Sequence, residues 1–314
     1  MLTATLFGQV IGPTKGTHMF TGLSAFPLTP LHDDQVDEQA FIGLVQRLAA
    51  AGVDSITALG STGSYAYLSR EERQRVARLA VEHAGDVPVF AGIGALRTSH
   101  VLAHADDAAQ AGASALLLAP MSYQALTEDD VFELFRAVTE HTDLPVIVYD
   151  NPGTTHFTFT TDLYARIAQL PGIASIKIPA LPANSAEAHK KVQGIRSVIP
   201  ENVTIGISGD QSAVGGLKAG CDVWYSVIGG TLPDLAVKLT RLAQNGDANE
   251  ATKESVRLAP LWELNAEFGS LRVVAAIAEY LGIAPEKCLP LPIQGLDEQQ
   301  RARVKTVVDQ LDLT

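Results

Sequence analysis

The sequence predicts an α/β fold, a (β/α)8 TIM barrel with a helical appendage at its C-terminal end. Three observations predict it. Eight short runs rich in Val, Ile and Ala recur, at 20–27, 54–59, 88–92, 114–119, 145–149, 173–177, 203–207 and 223–227. Between them lie stretches with the 3.6-residue apolar period of amphipathic helices, each long enough for one helix. A punctuation recurs where helix gives way to strand: AAAGVDSI at 49–56, AAQAGASAL at 108–116 and GLKAGCDVW at 216–224.

Each element has a local reason. Apolar runs with little polar alternation imply strands buried on both faces, the mark of a parallel sheet covered by helices. In the punctuation, Gly52, Gly112 and Gly220 each follow an alanine-rich helix end, where a residue without Cβ suits the left-handed cap. Ser69 with Glu72 forms a capping box before QRVARLAVEH. Thr127 precedes Glu128, Asp129 and Asp130, which complement a helix N-terminus. A closed barrel explains eight strands best. An open doubly wound sheet is the rival, but no G-x-G-x-x-G follows the first strand. After about residue 236 the strand signal stops, and 247–265, 268–282 and 297–312 read as helices around the Pro-rich CLPLPIQG at 288–295. The expected organisation is a leader or extended start at 1–17, a barrel at 18–235 and a helical subdomain at 236–314.

The bulk properties narrow the function. The 314 residues are 46% hydrophobic and 18% charged, enough apolar surface for one large domain. A net charge of −12 disfavours nucleic acid and anionic membranes as partners. The longest apolar runs, such as Ala113 to Pro120, are too short to cross a bilayer. Residues 1–17 lack the sustained apolar stretch and cleavage site of a signal peptide. Cys221 and Cys288, few and far apart, argue against a disulfide framework and for a reducing compartment, hence a cytoplasmic protein. Eight scattered histidines form no H-E-x-x-H or H-x-H pattern, so no metal or other cofactor is expected.

In such a barrel, chemistry sits where strands end and βα loops begin. Lys177 closes the apolar run GIASIKI. At pH 7 a free lysine is neutral in only ~0.04% of molecules, which would add about 4–5 kcal/mol to attack on a carbonyl. Desolvation lowers the pKa and recovers much of that. A lysine snorkelling from the strand end to solvent is an equal alternative on position alone. Tyr149 closes LPVIVY on the strand before, about 4.8 Å away, and a phenol there can relay protons, or simply pack at the rim. ALGSTGSY at 58–65 offers backbone N–H groups and the hydroxyls of Ser61 and Thr62 to a carboxylate. It is not a Walker A loop, and an ordinary Gly-rich turn is its simplest reading.

Taken together, these segments resemble the dihydrodipicolinate synthase / N-acetylneuraminate lyase family of class I aldolases over residues 20–312. LTPLHDDQVD (28–37) resembles the family's opening strand and loop, and GSTG (60–63) its carboxylate-binding turn. YDNPGTT (149–155) resembles its tyrosine segment and SIKI (175–178) its Schiff-base strand. SGDQ (208–211) and WYSVIGG (224–230) resemble the last two βα loops. The resemblance implies that Lys177 condenses with pyruvate or a 2-keto acid, and that Tyr149 shuttles protons there. Ser61 and Thr62 would hold the carboxylate, Thr62 also joining the relay, while Gly209 and Tyr225 would line the pocket. It also implies a homodimer or homotetramer in which a tyrosine crosses from a neighbouring subunit, with Tyr123 the candidate.

The departures bear on substrate. Ser64 stands where the family commonly has glutamate, and Ile178 where an acidic residue commonly follows the lysine. Thr154 occupies the position of the arginine that pairs the second substrate's carboxylate in the synthases. Losing such a partner costs about 1.5–3 kcal/mol per bond. His156 could substitute, although a loop histidine is more often incidental. The leading reading is therefore a Schiff-base lyase, an aldolase or a dehydratase on a 2-keto-3-deoxy sugar acid. The alternatives are 4-hydroxy-tetrahydrodipicolinate synthesis for lysine, a non-catalytic keto-acid-binding barrel, and a phosphate-binding barrel using Gly229 and Gly230.

Overall fold

The apolar runs become eight strands: β1 (Gly22–Ala25), β2 (Ser55–Ala58), β3 (Val89–Gly92), β4 (Ala115–Leu118), β5 (Val146–Tyr149), β6 (Ile173–Ile178), β7 (Thr204–Ile207) and β8 (Val223–Ser226). The computed structural model describes residues 18–313, so the leader or extended start expected at 1–17 lies outside the described residues. All eight strands pair in parallel, and β1 pairs with both β2 and β8, which closes the sheet into a barrel. The expected TIM architecture is the observed one.

Two apolar layers follow from the strand alternation. One fills the space between sheet and helices and includes Leu23, Ile56, Phe135 and Ile205. The other fills the barrel itself, with Phe20, Phe90, Ile147 and Tyr225 among its members. Phe20 stacks on Phe90 with centroids 5.2 Å apart. The interior is thus a packed core beneath an open mouth, not a pore.

The caps form as the sequence implies. Gly52, Gly112 and Gly220 take φ values of 72°, 87° and 104°. Ser69 and Glu72 make both bonds of a capping box, as do Thr127 and Asp130. One element differs. The helix expected over 247–265 is two, Ala248–Arg257 and Ala259–Phe268. Pro260 is the reason: it lacks an N–H and its ring collides with the preceding turn. The eighth barrel helix, Pro233–Gln244, packs on β1 and spans the expected boundary at 235/236. Among the described residues, no helix is long and apolar enough to cross a membrane.

A polar clamp ties the first strand to the last barrel helix. Asp54 accepts from the Leu23 N–H at 2.7 Å and from both terminal nitrogens of Arg241, at 2.7 and 3.0 Å. Two close approaches shape the mouth above. A Cβ on Gly92 would lie 1.8 Å from the Leu59 carbonyl oxygen, so the turn after β2 can fold across the end of β3. A Cβ on Gly206 would lie 2.2 Å from the Tyr225 ring, which therefore spreads over β7. Gly206→Ala should lower the unfolding free energy by about 1–3 kcal/mol in urea titration, because that ring has nowhere to move. Combining it with Tyr225→Leu should recover part of the loss.

Candidate active site

Register sets the site. Tyr149 on β5 pairs with Lys177 on β6, and Lys177 with Gly206 on β7, so phenol and amine rise side by side at the mouth. Lys177 is 5% exposed. Its Nζ lies 4.0 Å from the centroid of the Tyr149 ring and 5.4 Å from that of Phe26. Burial pushes the ammonium below the ordinary lysine range, and the Tyr149 phenol and the carboxylates of Asp210 and Asp150 offset only part of this. The amine is therefore biased toward the neutral, nucleophilic form. Snorkelling to solvent is not what this side chain does.

The phenol sits in a short chain of hydrogen bonds. Tyr149 Oη lies 3.1 Å from Ser61 Oγ and accepts from Asn151 Nδ2 at 2.8 Å. With Asn151 donating, the phenol's own proton is left for Ser61 or for a ligand. Thr62 is buried and lines the same cavity, but the hydroxyl that reaches Tyr149 is that of Ser61. The turn holding both is tight: Leu59 and Ser64 adopt φ of 58° and 53°. The cavity has a volume of about 670 Å3 and includes Lys177, Tyr149, Ser61, Thr62, Gly209 and Tyr225 in its wall.

The remaining expected residues separate. Gly209, at φ 81°, would set a Cβ 2.9 Å from that of Ala180, so only glycine fits there. Tyr225 forms the floor, its hydroxyl 2.7 Å from Ser175 Oγ below the amine. Tyr123 is 91% exposed on the loop after β4 and is not in the cavity wall among the described residues. Thr154 lies in the wall, so no arginine stands at that position.

The structure adds groups that sequence reasoning did not single out. Asp210, in SGDQ, is 4% exposed and accepts from Trp224 Nε1, Ser226 Oγ and the N–H groups of Val227 and Ile228 at 2.8–3.1 Å. Burial raises its pKa and those donors offset part of the rise. It ties the β7 and β8 loops together. Asn151, Trp262 and Asn265 also reach the wall, the last two from the appendage. Asp210 in SGDQ and Asn151 in YDNPGTT lie in segments the sequence marked, whereas Trp262 and Asn265 carried no signal.

A closed parallel barrel with a buried lysine beside a phenol at its C-terminal mouth defines a lyase of the class I aldolase type. The chain belongs to the dihydrodipicolinate synthetase family, which it matches over residues 19–311. It is 31% identical over 301 residues to a 4-hydroxy-tetrahydrodipicolinate synthase of Anaplasma marginale (strain Florida), covering 95% of this chain and 96% of the relative. One from Hyphomonas neptunium is 35% identical over 245 residues, covering 77% and 82%. The crystal structure of a dihydrodipicolinate synthase from Agrobacterium tumefaciens superposes with a TM-score of 0.91 at 44% identity, covering 95% of this chain and all of the other (100%).

Burial of Lys177 has a thermodynamic counterpart. Its folded pKa lies below the unfolded value, so the unfolded chain binds more protons, and stability rises with pH up to the ordinary value of 10.5. Lys177→Met should therefore raise the urea midpoint at neutral pH. The difference from the parent should shrink as the pH climbs toward 10.5, read from midpoints across that range.

Proposed function

We propose that this chain is a dihydrodipicolinate synthase-like lyase that forms a Schiff base between Lys177 and pyruvate or another 2-keto acid, as an aldolase or a dehydratase. The observation that carries the reading is the desolvated Lys177 amine, 4.0 Å from the Tyr149 ring, with that phenol bonded to Ser61. The turn Ser61–Gly63 supplies hydroxyls and N–H groups for the substrate carboxylate, which sets the keto carbon before the amine. Neutral Lys177 attacks C2, the keto oxygen takes one proton from the attacking nitrogen and a second from the Tyr149 phenol, and it leaves as water as the iminium forms. Loss of a C3 proton then gives an enamine, which adds to an aldehyde or expels a β-substituent. Tyr149 is placed to carry the protons of these steps, exchanging them with Ser61 and, in the family pattern, with Thr62. Hydrolysis of the final iminium returns the amine.

The names of the relatives favour a second reading, 4-hydroxy-tetrahydrodipicolinate synthesis from pyruvate and aspartate semialdehyde. Thr154 argues against it: a hydroxyl replaces the cation that would pair the semialdehyde's carboxylate, at a loss of about 1.5–3 kcal/mol per missing bond. The exposed Tyr123, together with Leu96 at 63% and Tyr67 at 51% exposure, supports a homodimer or homotetramer in which Tyr123 reaches a neighbour's mouth. Two buried free cysteines and a net charge of −12 support a cytoplasmic setting.

Borohydride reduction in the presence of pyruvate should add the reduced pyruvyl mass to Lys177, located by peptide mass spectrometry. No adduct with any 2-keto acid would overturn the proposal. A coupled assay with pyruvate and aspartate semialdehyde should show turnover that rises on Thr154→Arg. Robust turnover by the unaltered chain would instead establish the second reading.

A further inference from the structure

A buried cation lies behind the turn that carries Ser61 and Thr62. Arg73, on the helix Arg70–His83, is 4% exposed. Its two terminal nitrogens donate to the carbonyls of Gly94 at 3.0 Å and Gly92 at 2.9 Å, so it grips the end of β3. Gly92 is the residue that the turn crosses: a Cβ there would run into the Leu59 carbonyl oxygen and lie 3.5 Å from the Gly60 nitrogen. A single strand end therefore separates the guanidinium from the turn. The guanidinium carbon also lies 5.4 Å from the centroid of the Tyr65 ring, and Tyr65 is itself part of the cavity wall.

The charges around Arg73 do not cancel. Asp107, 5% exposed, is the carboxylate beside it, but both oxygens of Asp107 accept from Arg70, at 2.7 and 2.9 Å. Among the described residues Arg73 itself bonds only to the two carbonyls. His104 adds no charge at neutral pH, because burial pushes its imidazole down to about 4. Burial brings Arg73 down to about 10, which leaves it charged. Two guanidiniums thus share one carboxylate, and one positive charge remains in a weakly polarisable interior, where its field is little screened.

The cavity has use for that charge. Among the described residues lining it, Lys177 is the single cation and Asp210 the single carboxylate. Lys177 is biased toward its neutral form, and the whole chain carries a net charge of −12. A keto acid brings a carboxylate into this wall at a desolvation cost. The hydroxyls and N–H groups of the turn can bond that carboxylate but do not offset its charge.

We infer that Arg73 is a positioning residue that gives the keto-acid pocket its preference for an anion. It braces the end of β3 against which the Ser61–Thr62 turn is folded, and it supplies positive potential from behind that turn. The inference rests on the Schiff-base reading of Lys177 and adds to it the source of carboxylate recognition.

The test uses the full chain and borohydride trapping on Lys177, read as half-saturating concentration. The probes are pyruvate and its uncharged methyl ester. The ratio of ester to acid half-saturation reports the anion preference and cancels any change that weakens both alike. In the unaltered chain the acid should saturate at a concentration about tenfold or more below the ester. Arg73→Met should cut the ratio about fivefold, by raising the half-saturation of pyruvate. Arg73→Lys keeps the charge and should restore most of the ratio. Arg70→Gln, at a side chain 55% exposed, leaves Asp107 to oppose Arg73 and should cut the ratio about twofold to threefold. Equal losses for acid and ester in a folded Arg73→Met chain would reduce Arg73 to a brace and overturn the inference. Should Arg73→Met not fold, an unchanged ratio in Arg70→Gln overturns it instead. Absence of any adduct in the unaltered chain overturns the Schiff-base reading beneath it, whereas an adduct with an unmoved ratio overturns the role of Arg73 alone.

Discussion

The removal of one amine from water is the constraint on which the rest of the site depends. Lys177 is buried because the barrel beneath it is full: Tyr225 supplies the floor, Phe26 and Tyr149 the walls. Were the interior a water-filled channel, the ammonium would keep its hydration, and burial would not lower its pKa. The packed core below and the open mouth above give the side chain a dry stem and a tip that faces the cavity. Strand register then fixes the neighbour, because residues paired across parallel strands emerge at one level.

The loops around that amine are restrained by polar contacts rather than by bulk. Asp210 gathers donors from β8 and the loop beyond it, and so fixes the mouth on one side. On the other side, the turn after β2 crosses Gly92 closely enough that the Ser61 hydroxyl meets the Tyr149 phenol. Such preorganisation leaves little to rearrange when charge develops. The same restraint explains how left-handed backbone at Leu59 and Ser64 is tolerated: the surrounding contacts over-determine it.

The barrel was legible in the sequence because its strands are buried on both faces and several of its helices begin or end in a recognisable cap. The continuous apolar runs, the glycines at 52, 112 and 220, and the Ser69–Glu72 box each reported a local requirement that packing did not override. Other features depended on contacts far apart in sequence. Nothing in GSTG distinguishes Ser61 from Thr62 as the partner of a phenol 88 residues away from Ser61. The one-turn helix Pro152–Thr155 is too short for periodicity to reveal. The split at Pro260 followed a simple rule but was masked by strong apolar periodicity on both sides. Trp262 and Asn265 read as ordinary helix positions until the appendage is folded over the mouth.

The clamp between Asp54 and Arg241 has a consequence for biosynthesis. Its partners are 187 residues apart, and Asp54 also holds the amide of Leu23, so three distant segments meet at the seam where β1 joins its neighbours. A nascent chain emerging from the ribosome can assemble its early βα units, but the ring has no final strand to receive until Val223–Ser226 is outside the exit tunnel, and no clamp until Arg241 has followed. Until then β1 presents an unpaired edge, the kind of surface that invites association with other chains. Closure is thus a late event, dominated by contacts of high sequence separation.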